Sequence, residues 1–177
     1  EQDASLVIII DNSASMTASR NGKSFLDISK NEVMALLPIF KKETQVIISQ
    51  TCPPKIVFKG FNSSSDIRNS IKYIEPTNDY DRLWETINNV TKEEDINGVI
   101  KECIVFSDFM HFPDSSSIKD LKFENDWKFY FIKHGKMDKN LGVSNVSFLN
   151  RMKILSQLIG IETDIKNTGL NNLENIP

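Results

Sequence analysis

The sequence predicts a doubly wound α/β fold, a mostly parallel sheet flanked by helices, with a C-terminal β-rich extension. Three observations carry this. Ser5-Leu-Val-Ile-Ile-Ile10 and Glu102-Cys-Ile-Val-Phe-Ser107 are short apolar, β-branched runs, each ending at an aspartate. Runs without apolar–polar alternation mark strands covered on both faces, as at the centre of a parallel sheet. Between such strands lie segments with helical spacing of apolar residues, and strand–helix alternation builds parallel sheets.

After a polar loop from Asn12 to Lys23, Ser24 with Asp27 three residues on gives a helix-capping pattern. Leu26, Val33, Leu37 and Phe40 share one helical face, and Pro38 marks its last turn. Thr44–Gln50 reads as a second strand and Lys55–Lys59 as a third, with Cys52-Pro53-Pro54 a tight reversal at a sheet edge. Ser65 is placed to cap a helix carrying Ile67, Ile71 and Ile74, which Pro76 stops. Leu83, Ile87 and Val90 give a further helix at i, i+4, i+7, and Trp127–Ile132 a further strand. Beyond residue 140 the pattern changes. Val143–Leu149 and Ile159–Ile165 alternate with a period of two, the latter before an Asn167-Thr-Gly169 turn. We therefore divide the chain into 1–140, the α/β domain, and 141–177, an extension of half-buried strands that reads as the start of a β-sandwich domain.

Composition limits the function. The chain has 177 residues, 40% hydrophobic and 25% charged, enough for an ordinary soluble core. Its 21 basic and 24 acidic side chains give a net charge of -3 with no basic run, which argues against a nucleic-acid partner. The longest apolar run, Leu6–Ile10, is far shorter than the ~20 residues that span a bilayer. The abrupt start at Glu1-Gln2-Asp3 reads as a piece cut from a longer protein, with any membrane anchor outside it. Cys52 and Cys103 make no disulfide framework, and whether they pair is left open. Trp84 and Trp127 read as core anchors, and His111 and His134 as loop and strand-end residues.

In an open α/β sheet, ligands bind beyond the carboxyl ends of the strands, where the strand order reverses. Asp11 and Asp108 both fall there. Ser13 and Ser15 follow Asp11 at alternate positions, so all three can face one point. Thr77, ahead of a helix, can add another hydroxyl. These are all oxygen donors, suited to a small hard cation such as Mg²⁺, with Mn²⁺ as a substitute. No Cys or His pair has zinc-ligand spacing. Neutral hydroxyls leave the ion much of its charge, so an open position would attract a partner's carboxylate. Asp79 and Asp81 are read more plainly as helix N-terminal charges.

Asp11-Asn-Ser-Ala-Ser15 after an apolar strand, Thr77 before Tyr80-Asp-Arg-Leu83, and Ile104-Val-Phe-Ser-Asp108 together resemble the metal-ion-dependent adhesion site of von Willebrand factor type A domains. The resemblance covers residues 1 to about 140 and implies that family's Rossmann-like fold. It also implies that Ser13, Ser15 and Thr77 ligate the metal, with Asp11 and Asp108 acting directly or through water. The chain departs from the family in two places: Glu75-Pro76 stand where glycines often precede the threonine, and Phe109 where glycine commonly follows the aspartate. Asp11–Met16 and Ser107-Asp-Phe109 resemble the bacterial aerotolerance (Bat) subfamily, and so does the β-rich tail. That likeness implies a soluble domain of a membrane-anchored protein, periplasmic or otherwise outside the cytoplasm. The expected function is metal-dependent protein binding with no catalysis, the partner supplying an acidic side chain. Two other readings compete: a scaffold whose metal site has decayed, and a Mg²⁺-dependent phosphohydrolase. The second lacks a second carboxylate beside Asp11, since Asn12-Ser13 follow it.

Overall fold

The computed structural model describes residues 4–79, 81–93, 96, 100–110, 127–135, 141–148 and 160–167. The chain divides into two compact units, Glu1–Gly135 and Lys136–Pro177. In the first, strands β1 (Ala4–Ile10), β4 (Gln45–Thr51), β5 (Pro54–Phe61), β6 (Ile100–Ser107) and β7 (Trp127–Lys133) form one sheet. Its order is β5-β4-β1-β6-β7. β1 pairs in parallel with β4 and β6, and β6 with β7, while β5 runs antiparallel to β4. The doubly wound, mostly parallel sheet expected from the apolar runs is present.

The central position of β1 explains its sequence. Leu6, Ile8 and Ile10 pack on one face with Val46, Ile48, Ile104 and Phe106; Val7 and Ile9 pack on the other with Ile47, Cys103 and Val105. With both faces covered, the run Leu6–Ile10 is apolar throughout, and the one buried polar residue of the strand, Ser5, donates to Gln45 at 3.0 Å. Helix α1 (Phe25–Leu36) lays Leu26 and Val33 on the first face, and a 3₁₀ turn, Leu37–Ile39, adds Leu37. Its Ser24 hydroxyl accepts from the Asp27 N–H at 3.0 Å and donates to the Asp27 carboxylate at 2.6 Å, the cap the spacing predicts. Helix α2 (Asp66–Lys72) adds Ile67 and Ile71 to the same face. Helix α3 (Leu83–Thr91) covers the other with Leu83, Ile87 and Val90, and Trp127 is buried beside them.

Three local readings need correction. The α2 N-terminus is met by Ser64, whose hydroxyl accepts from the Asp66 N–H at 3.3 Å, not by Ser65, whose side chain makes no cap bond. The helix also ends at Lys72, ahead of Pro76. The polar loop after Asp11 contains a 3₁₀ turn, Ala14–Thr17, and a small ribbon of β2 (Ser19–Arg20) and β3 (Lys23–Ser24). Asn21 and Gly22 at its tip have φ of 53° and 78°. Asn-Gly is the residue pair that such hairpin turns favour, so this signal was present in the sequence.

Cys52 and Cys103 are not joined in a disulfide, and both are buried. Burial pushes the Cys103 thiol far above its ordinary range. Burial also raises Cys52, with a smaller contribution from the charge of Asp11. Thiolate is the reactive form. The folded chain should therefore release almost no chromophore with a thiol reagent such as dithionitrobenzoate, and two equivalents once denatured. Rapid labelling of the native protein would contradict this placement.

In the second unit, β8 (Leu141–Phe148) and β9 (Ile161–Asn167) pair antiparallel, with a register shift between Val143 and Asn145. The half-burial expected there is not met: Val146, Ile161 and Ile165 are 57%, 58% and 56% exposed. Two strands alone cannot cover an apolar face. The predicted Asn167-Thr-Gly169 turn extends beyond the described residues, as does His111. Among the described residues, no helix is long and apolar enough to cross a membrane.

Candidate metal centre

Sheet register builds the floor of the site. Ile10 of β1 lies opposite Gln50 of β4 and Phe106 of β6. One step further, Asp11 therefore meets Thr51 on one side and Ser107 on the other. Both donate to it: Thr51 Oγ1 to Asp11 Oδ1 at 3.0 Å, and Ser107 Oγ to Asp11 Oδ2 at 2.6 Å. The Ser13 backbone N–H adds a third bond, to Oδ1, at 2.9 Å. Asp11 is 0% exposed. A carboxylate here is removed from water, and all three of these partners are neutral. Hydrogen bonds satisfy its lone pairs but leave its charge.

Above this floor, the Ser13 and Ser15 hydroxyls lie 3.1 Å apart. Ser13 is buried and Ser15 half-buried. The loop bends sharply there because Met16, fully buried in the core, pulls the 3₁₀ turn inward. Thr77 lies on the connection from α2 to α3, its N–H donating to the Asn12 carbonyl at 2.9 Å and its hydroxyl to the same oxygen at 3.5 Å. The Asp79 carbonyl accepts from the Ala14 N–H at 3.1 Å, a further tie between the two loops.

Asp108 follows Ser107 directly and is buried. Its Oδ1 accepts from the Met110 N–H at 3.2 Å. Phe109 has φ of 52°, a left-handed conformation that costs a non-glycine residue about 1–3 kcal/mol. The Phe109 N–H donates to Ser107 Oγ at 3.0 Å, and its ring meets Phe131 edge-on at 5.8 Å between centroids. The backbone therefore keeps a glycine-like turn with a phenylalanine anchored in the core. Gly135, with φ of 93°, closes the other side: a Cβ there would lie 3.1 Å from Phe25 Cε2 and 3.3 Å from Asp108 Cβ.

Asp11, Ser13 and Ser15 are thus linked directly, Thr77 through Asn12, and Asp108 through its neighbour Ser107. Sequence reasoning missed Asn12, Thr51 and Ser107, which hold the others in place. Asp81 behaves as a helix N-terminal charge, its Oδ1 accepting from the Leu83 N–H at 2.7 Å. His134 stands beside the β6 end: its N–H donates to the Ser107 carbonyl at 2.9 Å, and its ring stacks on Phe106. Its Nε2 lies 3.1 Å from Glu32 Oε2, close enough for an ion pair but too poorly aligned for a hydrogen bond. Among the described residues, no three His, Cys, Asp or Glu side chains cluster as metal ligands.

No protein-family model matches the chain, and neither does any curated protein. Solved structures do. The fold is similar to BatB from Bacteroides thetaiotaomicron, a conserved hypothetical protein, with TM-score 0.62 and 13% identity over 96% of this chain and 81% of that one. It is similar to a von Willebrand factor type A protein from Catenulispora acidiphila, with TM-score 0.54 and 13% identity, covering 96% of this chain and 56% of that one. Proximal thread matrix protein 1 from the mussel byssus matches with TM-score 0.56 and 18% identity over 75% of this chain and 35% of that one.

Proposed function

Starting from a von Willebrand factor type A-like fold, we propose that this chain is a divalent-metal-dependent protein-binding module and not an enzyme. The observation that carries this reading is the Asp11 carboxylate, 0% exposed and held, among the described residues, by neutral donors, beside a pair of hydroxyls 3.1 Å apart. A buried charge of this kind is stabilised by a cation above it. In this reading Ser13, Ser15 and Thr77 offer hydroxyl oxygens, and Asp108 offers a second carboxylate. Asp11 orients the loop and supplies charge from below. Mg²⁺ suits such a hard oxygen set, and Mn²⁺ can replace it. A partially ligated cation then captures an acidic side chain of a protein partner. In the same reading the chain is the soluble domain of a membrane-anchored bacterial protein of the Bat type, facing away from the cytoplasm, as the resemblance of its motifs implies.

The test is calorimetric titration with Mg²⁺ and Mn²⁺, wild type beside a Ser13→Ala, Ser15→Ala double variant. Saturable binding in wild type is expected, weakened in the double variant by roughly two orders of magnitude or more, on the scale at which metal sites respond to altered shells. A wild type that binds neither ion at millimolar concentration would overturn the metal-dependent reading and favour a metal-free scaffold. The hydrogen bond between the two serines keeps that second reading physical, since it gives each hydroxyl a partner without an ion.

A further inference from the structure

We infer that Asn12 is the positioning residue that fixes Thr77 against the serine pair, so that the cradle is assembled before any ion arrives. The inference rests on the metal-site reading above. Asn12 is fully buried, and its side chain addresses mainly backbone, with one longer bond accepted from the Thr51 hydroxyl at 3.4 Å. Nδ2 donates to the Cys52 carbonyl at 2.8 Å and to the Glu75 carbonyl at 2.9 Å. Oδ1 accepts from the Cys52 N–H at 2.8 Å and the Thr51 N–H at 3.2 Å. A primary amide has two donors and two lone pairs, and all four are used.

The Asn12 main chain completes the tie. Its N–H donates to Thr51 Oγ1 at 3.3 Å, and its carbonyl accepts from the Thr77 N–H at 2.9 Å. One residue thereby joins the end of β1, the β4–β5 turn and the α2–α3 connection. Few side chains can substitute. Aspartate would set lone pairs against the Cys52 and Glu75 carbonyls, and serine or alanine is too short to reach both. Pro76 acts from the other side: it disfavours helical backbone at Glu75, whose carbonyl accepts from Asn12. The glycine-poor sequence before Thr77 is then a requirement of a fixed loop. An ion binding here has no loop to order.

The experiment is a double-mutant cycle in the whole chain, read as Mn²⁺ affinity for wild type, Asn12→Ala, Thr77→Ala and the double variant. If Asn12 acts by placing Thr77, each single change weakens Mn²⁺ by about tenfold or more. The double variant is then no weaker than the weaker single variant, because the two residues work as one unit. Wild-type affinity in Asn12→Ala, or losses that add, would overturn the inference while leaving the metal site standing. A wild type that ignores Mn²⁺ would remove the metal reading and this inference together. Hydrogen exchange on metal-free wild type decides the matter even if Asn12→Ala does not fold. The Thr77 amide should already be protected and should gain nothing from Mn²⁺. Protection that appears only with the ion would mean the metal orders the loop, and would overturn the inference.

Discussion

Replacing Asp11 with alanine is expected to abolish divalent-cation binding and to lower the unfolding free energy by about 2–4 kcal/mol. The change strands three donors: the Ser107 hydroxyl, the Thr51 hydroxyl and the Ser13 N–H. An orphaned buried donor costs about 1–3 kcal/mol. The hydroxyls can turn to other acceptors, and removing a desolvated charge returns part of the loss. The Ser13 N–H is fixed by the backbone and cannot adapt, so the net effect stays destabilising. Asp11→Asn separates charge from shape. It keeps an acceptor at Oδ1, so its stability loss should be smaller, about 1 kcal/mol, while cation affinity falls nearly as far as in the alanine variant. Urea unfolding and Mn²⁺ titration of both variants supply the readouts. An Asp11→Ala protein as stable as wild type would show that the network does not hold the loop. Wild-type Mn²⁺ affinity in Asp11→Asn would remove the charge from the mechanism.

A second large effect lies in the core beneath the site. Ile9→Ala should cost about 3–4 kcal/mol, in the upper range for truncating a buried aliphatic side chain. Ile9 is fully buried in the middle of the central strand, in the cluster it shares with Ile47, Val105, Leu83 and Ile87. Strands on both sides prevent the sheet from collapsing into the space left behind, so the cavity term stays large. Ile39→Ala removes the same atoms from a residue 76% exposed and should change stability by less than about 0.5 kcal/mol. Chemical denaturation of the two variants side by side tests the contrast. Equal losses would mean that the packing of β1 is not what holds the sheet.

Much of the fold was legible because burial on both faces leaves an unbroken apolar run. The run from Leu6 to Ile10 could only be central, and β1 is central. The sequence signature of the site was legible for a related reason: strand ends carry side chains to the crevice, and an aspartate closing an apolar strand stands out. The supporting residues were not legible. Thr51 and Ser107 serve Asp11 because Ile10 lies in register with Gln50 and Phe106, and register is a property of paired strands that no single segment encodes. Asn12 looked like a spacer between two functional residues, since its partners, Cys52 and Glu75, are 40 and 63 positions away. Phe109 broke the expected glycine pattern, yet its ring meets Phe131 edge-on and its backbone keeps the turn. In the tail, alternation gave the two strands β8 and β9, but it reports which face is apolar, not whether anything covers it.

The central placement of β1 also orders events in time. The Thr51–Asp11 bond closes a span of 40 residues, and the Ser107–Asp11 bond one of 96. The longer closure costs about 0.8 kcal/mol more chain entropy before any contact repays it. The half containing β1, α1, β4 and β5 can therefore form early from nearer contacts, and β6 must find an edge already laid down. Asp11 gains its second oxygen partner only when that later half docks. A molecule that binds in the crevice therefore engages only chains in which both halves of the sheet are paired, drawing the population toward them by mass action.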